Sequence, residues 1–203
     1  RLDRDVGPDA RIDNEARGPR GFDTVNQIRK AGNYGWPYSR GNRVYVDFNF
    51  ADLKPGALYE KTSLANRSPN NSGMTELPAV QAPMVWYPST ATEDFPILGT
   101  GGRTACGGPV FHFDPTFEKT GGLPKYFDEC VLFYDWQRPF LHWARLDDDG
   151  GLKEILPFTD AARVAQGEDD GSGRFQIRRP VDFLFGRDGS LYFLDYGETW
   201  GAN

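Results

Sequence analysis

Four polar side chains stand where strand-like runs begin or end. Arg103 precedes the run Ala105–Phe113, Arg179 precedes Val181–Phe185, and Gln137 and Arg138 follow Val131–Trp136. An arginine fork binds a planar carboxylate through two parallel N–H donors, so arginines that converge form a site for a planar polyanion. The chain has two histidines, His112 in Val110-Phe111-His112-Phe113 and His142 in Leu141-His142-Trp143. Both sit among aromatics in strand-like runs and read as satisfied structural side chains rather than general bases. Two cysteines, Cys106 and Cys130, exclude a disulfide-dense scaffold. The sequons Asn66-Arg67-Ser68 and Asn70-Asn71-Ser72 carry no weight without a secretory context.

The elements that must position these residues are strands. Aromatics make up 14% of the chain and are interrupted by 24 Gly and 15 Pro, the composition of an all-β protein rich in turns. The runs Val131–Trp136, Phe140–Leu146 and Leu152–Phe158 follow one another across the turns Gln137-Arg138-Pro139 and Asp147–Gly151. Val181–Phe185 and Leu191–Leu194 flank Gly186-Arg187-Asp188-Gly189, where an Asp-Gly pair between apolar runs signals a hairpin. No segment sustains a 3.6-residue period, so little helix is expected. Residues 51–102 are rich in Pro, Asn and Ser, with only Met84–Tyr87 strand-like, and read as a long connection.

A repeat organises the strands. Leu2–Gly7, Leu132–Trp136 and Phe193–Gly197 each close a strand on an Asp, followed by an aromatic or Val and then a loop. The turn glycines Gly150 and Gly189 lie about 40 residues apart, the length of one four-stranded propeller blade. On this reading the whole chain, 1–203, is part of a single β-propeller domain. It holds roughly two to three blades where closed rings have about four to eight. Bare strand edges are avoided in folded proteins, so the remaining blades are expected from missing sequence or another chain. In a propeller, loops entering the innermost strand and loops leaving the second strand share one face. Arg103, Gln137, Arg138 and Arg179 are therefore expected at one mouth. The same topology sets Cys106 and Cys130 roughly 20 Å apart. A bridge requires Cα atoms within about 7 Å, so two unbridged, buried thiols are expected.

The formal charge of −6 argues against a general nucleic-acid binder. No apolar run approaches the roughly 18 residues needed to span a bilayer. The chain begins at Arg1 with no signal peptide, and its natural N-terminus is expected upstream.

Phe22–Pro37, with Gly32-Asn33-Tyr34-Gly35-Trp36-Pro37 at its end, resembles the corresponding run of the glucose/sorbosone dehydrogenase family. These are soluble quinoprotein propellers that use pyrroloquinoline quinone (PQQ) and calcium. Val6-Gly7-Pro8, Gly101–Ala105 ahead of Gly108-Pro109-Val110, and Arg179–Asp182 leading into Gly189–Tyr192 resemble the family in the same order. The resemblance implies a six-bladed ring when complete. It also implies PQQ- and Ca2+-dependent oxidation of an aldose sugar, this chain being the C-terminal portion. PQQ carries three carboxylates and accepts a hydride from the sugar while a His base removes the hydroxyl proton.

From their shared place at the mouth, Arg179 and then Arg138 are the first candidates to bind the cofactor's carboxylates, with Gln137 and Arg103 beside them; Gln137 stands where the resembled sugar dehydrogenases tend to carry Lys. By the same resemblance, the carbonyls of Gly7 and Pro8 would bind the catalytic calcium, as hard oxygen ligands suit that ion. A second, structural calcium would use Asp23, the Tyr34 carbonyl and Asp47. Tyr34 and Trp36 themselves read as packing residues. Neither histidine occupies the Asp-His setting of the family's base, which is expected upstream of Arg1. Implied partners are the sugar and an external electron acceptor such as a cytochrome c, in the periplasm or outside the cell. The alternative is a non-catalytic propeller that keeps the fold and calcium sites as a binding or assembly module.

Overall fold

Runs of aromatic and β-branched residues become strands, and glycines and acids make the turns. The structure, a computed structural model, describes residues 22–36, 38–40, 43–44, 46–49, 54–60, 62–120, 122–138, 140–158 and 177–197. It is all-β with antiparallel sheets and divides into two compact units, Arg1–Pro88 and Ser89–Asn203. The expected strand at Leu2–Gly7 lies outside the described residues.

In the first unit the strands are short: β1 (Asp23–Val25), β2 (Ser39–Arg40), β3 (Arg43–Val44), β4 (Val46–Asn49), β5 (Lys54–Leu58) and β6 (Val85–Tyr87). They pair as β1–β6, β2–β3 and β4–β5. Val85 and Tyr87 are buried, and Phe22 packs edge-on against Trp86 with ring centroids 5.0 Å apart. The segment 51–102 therefore holds more than the one strand expected at Met84–Tyr87. Lys54–Leu58 also pairs, setting Pro55 opposite Phe48 beside a bulge. A Pro-Gly pair normally marks a turn, but Pro is tolerated in a two-stranded ribbon beside a ladder irregularity.

The second unit contains a four-stranded antiparallel meander: β7 (Ala105–Val110), β8 (Val131–Asp135), β9 (Phe140–Leu146) and β10 (Leu152–Pro157), in the order β10-β9-β8-β7. A separate hairpin, β11 (Pro180–Phe185) and β12 (Leu191–Asp195), packs on it. The one short α-helix among the described residues, α1 (Phe117–Thr120), lies in the connection from β7 to β8. The β9–β10 turn is closed by the Asp147 side chain, which accepts the Gly151 N–H at 2.7 Å. In the β11–β12 turn Gly189 has φ +80° and lies against Phe117, whose ring would be 2.6 Å from an added Cβ. That position demands glycine on both counts.

One face of the meander carries Leu132, Tyr134, Leu141 and Trp143, which pack with Phe111, Ile177 and Phe183 into a core. Tyr134 joins the two sheets: its ring lies 4.8 Å from that of Phe183 and its Oη donates to the Val181 carbonyl at 2.7 Å. Partial burial raises its phenol pKa to about 12, so Tyr134 stays a donor. Cys106 stands opposite Tyr134 in the β7–β8 ladder, while Cys130 precedes β8 at the other end. Both thiols are unbridged, Cys130 buried and Cys106 half-buried rather than buried as expected.

The histidines divide. His112 is exposed and lies beyond the end of β7, past the last backbone pairing at Phe111, so it is not the structural strand residue expected. His142 lies in β9, fully buried and stacked on Phe140 at 4.8 Å, yet neither ring nitrogen makes a hydrogen bond. It is structural but not satisfied. Burial lowers its pKa to about 4, against smaller opposing effects of the Ile97 and Leu141 backbone.

Candidate functional site

The repeat in the sequence is a repeat in hydrogen bonding. Asp135 closes β8 opposite Ala105, and Asp195 closes β12 opposite Pro180. The Asp135 carboxylate accepts the N–H groups of Thr104 (2.7 Å), Gln137 (2.8 Å) and Arg138 (2.6 Å). Asp195 accepts those of Arg178 (2.5 Å), Arg179 (2.9 Å) and Gly197 (2.8 Å). The next residue closes each ladder in the same way. Trp136 N–H donates to the Thr104 carbonyl at 3.1 Å, and Tyr196 N–H to the Arg179 carbonyl at 3.0 Å. Asp135 is buried, and a carboxylate out of water is tolerated when backbone donors surround it.

These two Asp-centred loops form one rim of the second unit. Trp136 and Tyr196 meet there edge to face at 6.1 Å, and the Arg179 guanidinium lies 5.2 Å from the centre of the Trp136 ring. Gln137 folds over Gly102 so closely that an added Cβ would fall 2.3 Å from its Cδ. Arg103, next in the chain, donates from Nε to the Ser89 hydroxyl at 2.9 Å, and Ser89 also accepts the Gly101 N–H through its carbonyl. Arg138 turns inward. Its guanidinium donates to the carbonyls of Leu98 (2.9 Å), Gly99 (3.0 Å), Gly101 (2.9 Å) and Gly102 (3.1 Å). It braces the loop that carries Arg103.

All four expected cofactor-binding residues thus belong to loops that come together, three around Gly101–Arg103 and Arg179 on Trp136. Trp136 and Tyr196 are the rim residues that reading the sequence for cations passed over. Their signal was present, because each follows the strand-closing Asp of the repeat. Arg179 beside the Trp136 ring, which Tyr196 meets, and Arg103 and Gln137 on the adjoining loops are donors of the kind a planar carboxylate takes.

The expected metal ligands are placed differently. Gly7 and Pro8 lie outside the described residues. Asp23 is half-buried in β1 opposite Tyr87, and Tyr34 donates from Oη to the Lys30 carbonyl at 3.0 Å. Asp47 lies in β4, its side chain outside what is described. Trp36 is 49% exposed, so it is not the buried packing residue expected. Among the described residues no group of three or more His, Cys, Asp or Glu side chains is placed to hold a metal ion. Nor is any helix among them long and apolar enough to cross a membrane. Comparison with family models, curated proteins and solved structures finds no match to this chain.

Proposed function

We propose that the chain is the C-terminal portion of a β-propeller aldose dehydrogenase dependent on PQQ and calcium, acting in the periplasm or outside the cell and passing electrons to an external acceptor such as a cytochrome c. The observation that carries this reading is the meeting of the Arg103, Gln137, Arg138 and Arg179 loops at one rim, set by the paired carboxylates Asp135 and Asp195. The consecutive four-stranded meander followed by a hairpin that repeats its end is also what successive propeller blades require.

When bound, PQQ supplies an ortho-quinone that takes up the hydride from the sugar's anomeric carbon, and calcium polarises that quinone. This chain's residues would bind and orient the cofactor: Arg179 and Arg103 would pair with carboxylates, and Gln137 would donate a neutral amide hydrogen bond. Arg138 keeps the Arg103 loop in place through its carbonyl bonds. Titration of the full-length protein with PQQ, in calcium and then in chelator, tests the reading. Saturable binding that requires calcium is expected, and absence of binding in calcium would overturn it.

The position of the histidines favours a second reading. His142 is buried in β9 and His112 is exposed beyond β7, so among the described residues no His belongs to the Asp135 and Asp195 loops. A propeller kept as a binding or assembly module would have the rim without a base. Calcium-dependent PQQ binding by full-length protein without sugar-dependent reduction of an electron-acceptor dye is the outcome that selects it.

A further inference from the structure

We propose that Trp136 is a positioning residue: its ring holds the Arg179 guanidinium in the orientation that takes a planar carboxylate. The physiological anion rests on the reading above; the pairing itself stands on geometry.

Both partners start from fixed backbone. Trp136 donates its N–H to the Thr104 carbonyl, directly after Asp135, whose carboxylate holds the N–H groups on either side of the loop. Arg179 donates its N–H to Asp195 and accepts that of Tyr196 through its carbonyl. The Arg179 side chain therefore reaches from the segment entering β11 to the loop leaving β8. It settles 5.2 Å from the Trp136 centroid, within the roughly 6 Å over which a ring attracts a guanidinium. Tyr196, at 6.1 Å and 66° to Trp136, flanks the pair.

Stacking uses the face of the guanidinium, whereas carboxylates bind along its edge. The 5.2 Å contact with the Trp136 ring restrains the fork at its central carbon and itself takes up none of its N–H donors. Gln137 follows Trp136 directly, and it packs on Gly102 beside Arg103. A planar anion bound along the Arg179 edge would have an amide and a second guanidinium on neighbouring loops. A mere staple between two sheets would have no need of them.

The test uses the full chain and two probes, benzene-1,3,5-tricarboxylate alone and PQQ with calcium. Trp136→Leu is expected to weaken tricarboxylate binding about three- to tenfold, Trp136→Phe to weaken it less, and Arg179→Ala to remove any further effect of Trp136→Leu. In the protein without ligand, ring-current shifts of the Arg179 δ protons should vanish in Trp136→Leu and persist in Trp136→Phe. Tricarboxylate binding by Trp136→Leu equal to that of the parent, or independent losses in the double variant, would overturn the proposal. If the tricarboxylate pattern appears without PQQ binding, the positioning role stands and the quinoprotein reading falls. If PQQ binds but Trp136→Leu changes nothing, the positioning role falls alone. Binding of neither probe by the parent removes both.

Discussion

Arg138 and Arg179 differ in what their guanidinium groups already hold. Arg138 is buried and spread over four carbonyls, so Arg138→Ala leaves those oxygens without their donor. Hydrogen bonds to a charged group contribute about 1.5–3 kcal/mol, and a loss of at least about 3 kcal/mol in denaturant unfolding is expected. Arg179 is half-buried and lies against the Trp136 ring, a contact of about 0.5–1 kcal/mol, so Arg179→Ala should cost less stability than Arg138→Ala. It should instead weaken PQQ binding tenfold or more, since a desolvated charge-assisted contact is worth about 1.5–3 kcal/mol. The reverse pattern would exchange their roles as brace and ligand. His142 adds a pH dependence. Its pKa falls from 6.5 unfolded to about 4 folded, so the unfolded chain binds the proton more readily between those values. The stability this ring contributes is full above about pH 6.5 and lost as pH falls toward 4, by roughly 3 kcal/mol at 1.36 kcal/mol per unit. His142→Phe should therefore unfold less readily than the parent on going from pH 7 to pH 4. Equal losses in both proteins would show that the ring does not titrate there.

At the level of strands, the two carboxylates that close β8 and β12 do what a turn alone cannot: each ties the loop entering the neighbouring strand to the loop leaving its own. Asp135→Ala strands three backbone donors in a buried place, and about 2–4 kcal/mol of destabilisation is expected from their lost charge-assisted bonds. Asp135→Asn, which keeps one acceptor oxygen, should recover part of that loss, and thermal unfolding of the pair measures both. The strands around these carboxylates were legible because their period, aromatics and Asp-Gly turns agree: β8 and β9 lie within a residue of the runs that announce them. In the first unit β1 to β4 have two to four residues each, too few for a period to emerge, and Pro55-Gly56 disguised β5. The site divides in the same way. Spacing placed Arg103, Gln137, Arg138 and Arg179 at strand ends, but the direction in which a guanidinium swings is decided by tertiary partners. Leu98 and Gly99 lie about 40 residues from the Arg138 they satisfy, and no local pattern foretells that.

For the whole molecule, the repeat explains an exposed surface. Counting back from Asp135 and Asp195, Leu132 and Tyr134 of β8 correspond to Tyr192 and Leu194 of β12. The first pair is 0% and 3% exposed because the β11–β12 hairpin covers it, whereas Tyr192 and Leu194 are 60% and 59% exposed. Leu184 pairs directly across from Tyr192 and shares that face at 65% exposure, making a continuous apolar surface on the outer side of the hairpin. In the proposed propeller the next repeat would cover this face as the hairpin covers β8, each unit burying the side chains its predecessor presents. Contiguous exposed apolar surface on a short hairpin drives association when nothing covers it. The 203-residue chain by itself is therefore expected to bind a hydrophobic dye and to self-associate with rising concentration. Leu184→Lys with Leu194→Lys should suppress both, while unfolding in denaturant shifts by no more than about 0.5 kcal/mol, as expected for exposed positions. Light scattering and dye fluorescence across a dilution series measure this. A parent chain that stays monomeric and dye-silent would mean that the outer face of β12 is a finished surface, and the successive-repeat reading would lose its footing.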